Sequence, residues 1–248
     1  MGREMDFTGK VALITGASRG LGHAVARRIV ASGGRVVLAD IRESDGQAVA
    51  EELGAAALFV RLDVTSGEDW EAALGKTAEH FGGLDILINS AGIFFMRSIE
   101  DTTPEMFETM YRVNQLGPFL GMRTALPYLK ARSGGVIVNL SSTSGLRGYR
   151  DNIAYTASKW AVRGMSKSAA KELGEHRIRV LSVHPGVIDT PMNQEQLGAE
   201  GIAAAGRQNP LGRCAQADEV ADFIAFLASD AAGFCTGSEY VIDGGSSI

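Results

Sequence analysis

Cysteine is scarce in this chain: only Cys214 and Cys235 occur in 248 residues, and neither sits at CxxC or metal-ligand spacing. Two lone thiols in so long a chain point to a reducing compartment, and no metal site is expected. Long apolar runs are missing too; none approaches the ~20 residues of a membrane span. Positive charge is not in excess. The net charge is −5 and no basic stripe is visible, which argues against nucleic acid as a partner. Met1 to Lys10 lacks a basic start followed by an apolar stretch, so no secretory signal is expected. Gly2 follows the first methionine, but Asp6 stands where a myristoylation motif wants Ser or Thr. These exclusions leave a cytoplasmic protein without membrane contact. What is present, 45% apolar and 21% charged residues with 31 glycines, suits a soluble globular fold with many tight turns. The length would hold one large α/β domain or two small ones.

Val11–Thr15 is a short apolar run, followed at once by Gly16-Ala17-Ser18-Arg19-Gly20-Leu21-Gly22. A helical pattern comes next through Ala24, Val25, Ile29 and Val30, closing at Gly33-Gly34. Strand, glycine-rich turn and helix start are the order a dinucleotide site requires. The glycines let backbone approach a pyrophosphate, and the helix start offers free N–H groups. The spacing is GxxxGxG instead of the commoner GxGxxG, and a plain strand–turn–helix corner would read the same way. The next strand, Arg35–Ala39, ends in Asp40. A carboxylate about 20 residues past the glycine turn suits an adenosine 2′-hydroxyl and would repel a 2′-phosphate, which favours NAD over NADP. Arg19 and Arg42 pull the other way, since either could reach a phosphate. Asp40 weighs more, because its place at the strand end is fixed.

The alternation continues with helix Ser44–Leu53, strand Ala57–Leu62, a helix from Thr65-Ser66 to Phe81, and strand Leu84–Ile88. Strands that are largely apolar and alternate with helices predict a parallel sheet covered on both faces, and no polar linker divides it. Thr102-Thr103-Pro104-Glu105 starts a further helix, in which Asn114 falls among apolar neighbours. A buried asparagine needs partners. Strand Val136–Leu140 ends in Ser141-Ser142, and Tyr155 and Lys159 follow on a helix running to Gly174. Four residues advance a helix by little more than a turn, so the phenol and the ammonium share a face. A neighbouring positive charge favours phenolate, which makes the pair a proton donor and acceptor. The same spacing also fits a partly buried ring beside a solvated charge.

Thr15-Gly-x-x-x-Gly-x-Gly22, Asn89-x-Ala-Gly92, Asn114, Ser142, Tyr155-x-x-x-Lys159 and Pro185-Gly186 stand in the order and spacing of the short-chain dehydrogenases/reductases. The chain resembles that family over essentially its whole length. One departure is Ser90, where family members commonly carry a second asparagine; serine can still hydrogen-bond there. The resemblance implies a doubly wound Rossmann sheet of about seven strands with helices on both faces, in a single domain. It implies Tyr155 as general acid/base, and Lys159 as the residue that lowers its pKa and binds the nicotinamide ribose. Ser142 would orient the substrate oxygen, and Asn114 would hold a water in a proton relay. Gly16, Ser18, Arg19 and Leu21 would line the pyrophosphate and adenosine, Asp40 the ribose, and Asp63 and Val64 the adenine. Asn89, Ala91 and Gly92 would pass under the cofactor. Pro185, Gly186, Ile188 and Thr190 would complete its contacts, with Ile188 and Thr190 at the carboxamide. His184, just before Pro-Gly at a strand end, reads as structural.

Residues 191–210 show no firm period, and 187–210 are expected to form a mobile lid over the substrate. Ile93, Phe94, Phe95, Met96, Leu146, Tyr149, Val187, Met192 and Leu197 are candidate pocket walls. They are mostly apolar, which favours a hydrophobic ketone or secondary alcohol. The segment Tyr155–Met192 particularly resembles bacterial hydroxysteroid dehydrogenases, so a steroid is the first specific expectation and a smaller ketone the second. Two rivals remain. An NADPH-dependent 3-oxoacyl thioester reductase could dock its carrier on Arg147 and Arg150, although Asp40 speaks against it. A dinucleotide-binding regulator without turnover is opposed by the intact Ser142, Tyr155 and Lys159. The resemblance also implies a homotetramer, formed partly by pairing of the helices that carry Asn114 and Tyr155.

Overall fold

Every residue of strand β1 (Val11–Thr15) is buried, and alternate side chains leave on opposite sides. Ala12 and Ile14 enter one apolar cluster, Val11 and Leu13 another. A strand buried on both faces needs cover on both. Helices α1 (Gly20–Ala31) and α2 (Glu43–Leu53) cover the first face through Val25, Ile29 and Val49. Helix α3 (Gly67–Phe81) covers the second through Trp70 and Leu74. The computed structural model describes residues 5–248; the reading of Gly2 lies outside them.

Strands β2 (Arg35–Asp40), β3 (Ala57–Arg61), β4 (Ile86–Asn89), β5 (Gly135–Leu140) and β6 (Ile178–Pro185) follow in sequence. A short pair, β7 (Ile188–Asp189) with β8 (Ala215–Gln216), stands apart, and β9 (Glu239–Ile242) closes the main sheet. That sheet has seven strands in the order β3-β2-β1-β4-β5-β6-β9, and every neighbouring pair is parallel. The expected Rossmann architecture is therefore present. The order reverses between β1 and β4, which opens a crevice beyond their carboxyl ends, the place where doubly wound sheets bind ligands.

Local chemistry sets the helix limits. Ser66 caps α3 by accepting from the Asp69 amide at 3.1 Å, and Gly82 ends it in the left-handed region at φ 82°. Two segments depart from the sequence reading. The single helix expected after Thr103 is divided into α4 (Pro104–Tyr111) and α5 (Gly117–Ala131), joined by a π-turn over Arg112–Leu116. Two contacts, one within that turn and one beyond it, account for it. Asn114 must face the loop after β4, while Gly121 must lie against α3, where a Cβ would come within 2.6 Å of the Trp70 ring. The second departure is α7 (Pro191–Gln208), a helix where no period was legible. It is broken at Gly198 (φ 65°, ψ 173°). Its two halves are anchored separately: Asn193 and Gln194 bond Ile188 and Asp189, whereas the Cys214 thiol donates to the Ile202 carbonyl. Helices α6 (Ile153–Leu173) and α8 (Ala217–Ala228) complete the two layers, and α8 starts with a capping box of Gln216 and Glu219.

Candidate active site

At the end of β1, Gly16 takes φ 67°, and a Cβ there would lie 2.8 Å from the Ala91 Cα. Only glycine lets the turns after β1 and β4 approach so closely. Thr15 fastens the same approach, its hydroxyl oxygen accepting from the Ser90 and Ala91 amides, both at 3.0 Å. No side chain caps the start of α1. Its first turn, Gly20 to Gly22, lines the cleft, so the unpaired N–H groups and the positive end of the helix dipole are offered to an anion.

The Asp40 carboxylate is fixed at the end of β2 by two amides: Oδ2 accepts from Ser18 at 3.1 Å and Oδ1 from Arg42 at 3.2 Å. Both arginines that could have opposed it have carboxylate partners of their own. Arg19 pairs with Glu195 of α7, and Arg42 with Asp45 at 3.7 Å. Farther along, Asp63 accepts from the amide and hydroxyl of Thr65, both at 2.8 Å, and Leu62, Asp63 and Val64 wall the cleft. The cleft encloses about 1420 Å³ including its open mouth.

At the other end of the cleft stand Ser142, Tyr155 and Lys159. The Ser142 oxygen accepts from the Ser144 amide at 3.1 Å, which leaves its own proton to be donated. Lys159 is 5% exposed, and its ammonium donates to the Leu140 carbonyl at 2.8 Å. Its other two N–H donors have no protein acceptor among the described residues, and the side chain lines the cleft. A buried ammonium with donors to spare fits the hydroxyls of a ribose. Burial pulls its pKa down to about 8, so it stays largely charged at neutral pH. Burial pushes the Tyr155 phenol up to about 12, and the Ser142 hydroxyl draws it back part of the way. The tyrosine is half-buried with a side open to the cleft, so water there offsets some of that rise. Within the chain itself, burial outweighs any lowering by Lys159. The Phe94 ring leans on Tyr155, with centroids 4.8 Å apart at 59°.

Of the catalytic and cofactor residues expected from the sequence, Ser18, Asn89 and Asn114 do not line the cleft; all the others do. Ser18 lies behind the glycine turn, its hydroxyl donating to the Arg42 carbonyl at 3.3 Å. Asn89 sits beneath the floor and donates to Asn139 at 2.8 Å; Asn139 in turn donates to Ser166 of α6 at 2.9 Å. The Asn114 amide clamps Ile93, accepting from its N–H and donating to its carbonyl, each at 2.8 Å. Among the expected apolar walls, Ile93 and Met192 line the cleft; Phe94, Phe95, Met96, Leu146, Val187 and Leu197 do not, and Tyr149 turns to Arg147 and Thr143. Residues the sequence did not flag are Thr15 as a clamp, and Ser144 with Asn152, which donates to the Ser144 hydroxyl at 3.2 Å. Their only signal was position, beside a glycine turn or two residues past Ser142. Among the described residues no group of three or more His, Cys, Asp or Glu could hold a metal ion.

Residues 16–247 match a sequence family described as enoyl-(acyl carrier protein) reductase. The chain is 46% identical to trans-4-hydroxycyclohexanecarboxylate dehydrogenase of Sinomonas cyclohexanicum, over 95% of this chain and 92% of that protein. It is 43% identical to 3-alpha-(or 20-beta)-hydroxysteroid dehydrogenase of Mycobacterium tuberculosis, over 96% and 89%. Among solved structures, 3-ketoacyl-(acyl-carrier-protein) reductase from Brucella melitensis complexed with NADH superposes with a TM-score of 0.93 at 34% identity, over 99% of this chain and 100% of that one.

Proposed function

This chain belongs to the short-chain dehydrogenases/reductases and is an oxidoreductase acting on CH–OH groups; from that premise we propose NAD as its cofactor and a hydrophobic cyclic secondary alcohol or its ketone, up to steroid size, as its substrate. The observation that carries the cofactor choice is Asp40, a carboxylate held by two amides at the ribose position while Arg19 and Arg42 are both engaged by acids. The substrate class is supported by the apolar Ile93 and Met192 beside Tyr155, and by relatives named for a hydroxycyclohexanecarboxylate and for hydroxysteroids.

The nicotinamide would supply or accept the hydride. In reduction the Tyr155 phenol, protonated at neutral pH, donates its proton to the substrate oxygen. Ser142 aims its hydroxyl at the same oxygen, where negative charge grows. Lys159 uses its two spare donors on the nicotinamide ribose. The start of α1 and the Gly16 turn take the pyrophosphate, Asp63 and Val64 border the adenine, and Pro185, Gly186, Ile188 and Thr190 border the nicotinamide. The relay water assigned to Asn114 would have to be held by its main chain, because both ends of its side-chain amide are committed to Ile93.

The described chain works as one unit, with the first half of α7 as a lid: Pro191, Met192 and Asn193 line the cleft up to the break at Gly198. A homotetramer is proposed from exposed Phe107, Phe119 and Trp160 on α4, α5 and α6, a face that a second copy would cover. A cytoplasmic location is favoured by the two free cysteines. No helix among the described residues is long and apolar enough to cross a membrane. The second reading, a 3-oxoacyl thioester reductase, is favoured by the Brucella structure.

The deciding experiment follows nicotinamide absorbance with NAD and NADP side by side, across cyclic alcohols, hydroxysteroids and 3-oxoacyl thioesters. Turnover of a cyclic alcohol or steroid with NAD is expected. Preference for NADPH and a thioester would overturn both parts of the proposal.

A further inference from the structure

We propose that His184 is a positioning residue for Ser142: its imidazole, held as the Nδ1–H tautomer, fixes the Ser142 main-chain carbonyl and with it the hydroxyl aimed at the substrate oxygen. This rests on the reading of Ser142 as the donor to that oxygen.

His184 is completely buried in β6. Its Nδ1 lies 3.0 Å from the Ser142 carbonyl oxygen and its Nε2 3.0 Å from the Ser182 hydroxyl. A carbonyl can only accept, so Nδ1 must carry the hydrogen. In the neutral ring Nε2 is then the acceptor, and Ser182 donates to it. Both ring nitrogens are satisfied, and the other tautomer would leave the carbonyl facing a lone pair.

The strands show why a side chain is needed here. The ladder between β5 and β6 runs as far as the Ser141 amide, which donates to the Val183 carbonyl at 2.8 Å. Pro185 has no N–H, so β6 returns no main-chain bond to the Ser141 carbonyl and the ladder ends there. One residue beyond the end of the ladder, the imidazole donates to the Ser142 carbonyl, just before Pro185 and Gly186 enter the cleft wall. The Ser142 carbonyl also accepts from the Gly145 amide at 2.8 Å, and the Ser142 hydroxyl oxygen from Ser144. Carbonyl and hydroxyl are thus both pinned, and the free hydroxyl proton is left to the cleft.

The charged groups facing the ring are Glu239, Arg163 and Lys159. Glu239 is already taken by Arg163 at 2.7 Å and Lys167 at 2.6 Å. Burial lowers the imidazole's pKa, with the Ser142 bond and Glu239 acting against it. The lowering favours the neutral ring.

The test has a spectroscopic and a kinetic arm, both on the full chain. The protein contains four histidines, so nitrogen NMR of histidine-labelled enzyme is readable. A protonated Nδ1 and a bare Nε2 are expected for His184 in its neutral form. An Nε2–H tautomer overturns the proposal. Kinetically, His184→Leu is expected to lower kcat on the order of ten- to a hundredfold, as for a misplaced catalytic group, with KM for the dinucleotide unchanged. His184→Asn keeps a donor near the Nδ1 position and should restore most of the loss. In a Ser142→Ala background the His184→Leu loss should largely vanish, because both changes disable one hydroxyl. An undiminished loss in that background overturns the role of His184 and leaves Ser142 standing. Full activity of Ser142→Ala removes the reading of Ser142, and this proposal with it. Should His184→Leu not fold, the tautomer and the Asn variant still decide.

Discussion

Lys159 directs its ammonium at the Leu140 carbonyl, 2.8 Å away, while the centroid of the Tyr155 ring lies 5.4 Å from it. The lysine is thus anchored to the end of β5 first and acts on the phenol from a distance. The two residues also respond to burial in opposite directions, and this gives stability a characteristic dependence on pH.

The Lys159 pKa falls from 10.5 to about 8 on folding, so between those values the unfolded chain binds more protons than the folded one. Stability should therefore rise with pH across that window through this group. Tyr155 is raised from 10.0 to about 12, so its contribution falls as pH climbs through that range. Melting temperatures of the wild type and Lys159→Met, compared at pH 7 and 9.5, should show the wild type gaining on the variant. A constant difference would mean that the lysine is not perturbed by burial.

Tyr155→Phe removes the proton and little volume. The loss in kcat should be on the order of 10²–10⁴, the range for a general acid or base, with dinucleotide affinity nearly unchanged. Loss of affinity together with rate would instead show that the ring mainly shapes the cofactor site.

Asp40→Asn removes the charge and leaves one oxygen for the Ser18 and Arg42 amides. A lost charge-assisted hydrogen bond of ~1.5–3 kcal/mol should raise KM for NAD roughly tenfold or more. NADP use should improve at the same time, because the repulsion of a 2′-phosphate is gone. Parallel losses for both cofactors would show that the carboxylate only braces the turn.

Glu195→Gln frees Arg19 from the first half of α7. The pair is partly exposed, with side chains 33% and 56% accessible, so it contributes only ~0.2–1 kcal/mol. Dinucleotide release measured by stopped flow should quicken roughly two- to fivefold, while the melting temperature stays put. Unchanged release would remove α7 from the gating of the cleft.

Much of this was legible in the sequence because the determinants are local. The apolar run before Gly16, the carboxylate closing β2 and the tyrosine–lysine spacing each specify a place in the fold from a few neighbouring residues. The parallel sheet followed from largely apolar strands alternating with helices, and its seven strands from the family resemblance. The π-turn was not legible, because Asn114 and Gly121 answer to partners far along the chain, at Ile93 and Trp70. Helix α7 was hidden for another reason. Its Ala- and Gly-rich residues carry little apolar pattern, and it is held by polar contacts to β7, Arg19 and Cys214. His184 read as structural from its place before Pro-Gly; its bond to the Ser142 carbonyl crosses between strands and leaves no mark in local spacing.

The π-turn at Arg112–Leu116 carries a constraint of its own. Each residue rotates a helix by about 100°, so the turn sets α5 one step out of phase with α4. Asn114 keeps time with the first phase and Gly121 with the second. Deleting any one residue between them would restore an unbroken helix and cost one of the two contacts, whichever residue is removed. In this stretch it is the number of residues that is fixed, more firmly than the identity of most of them.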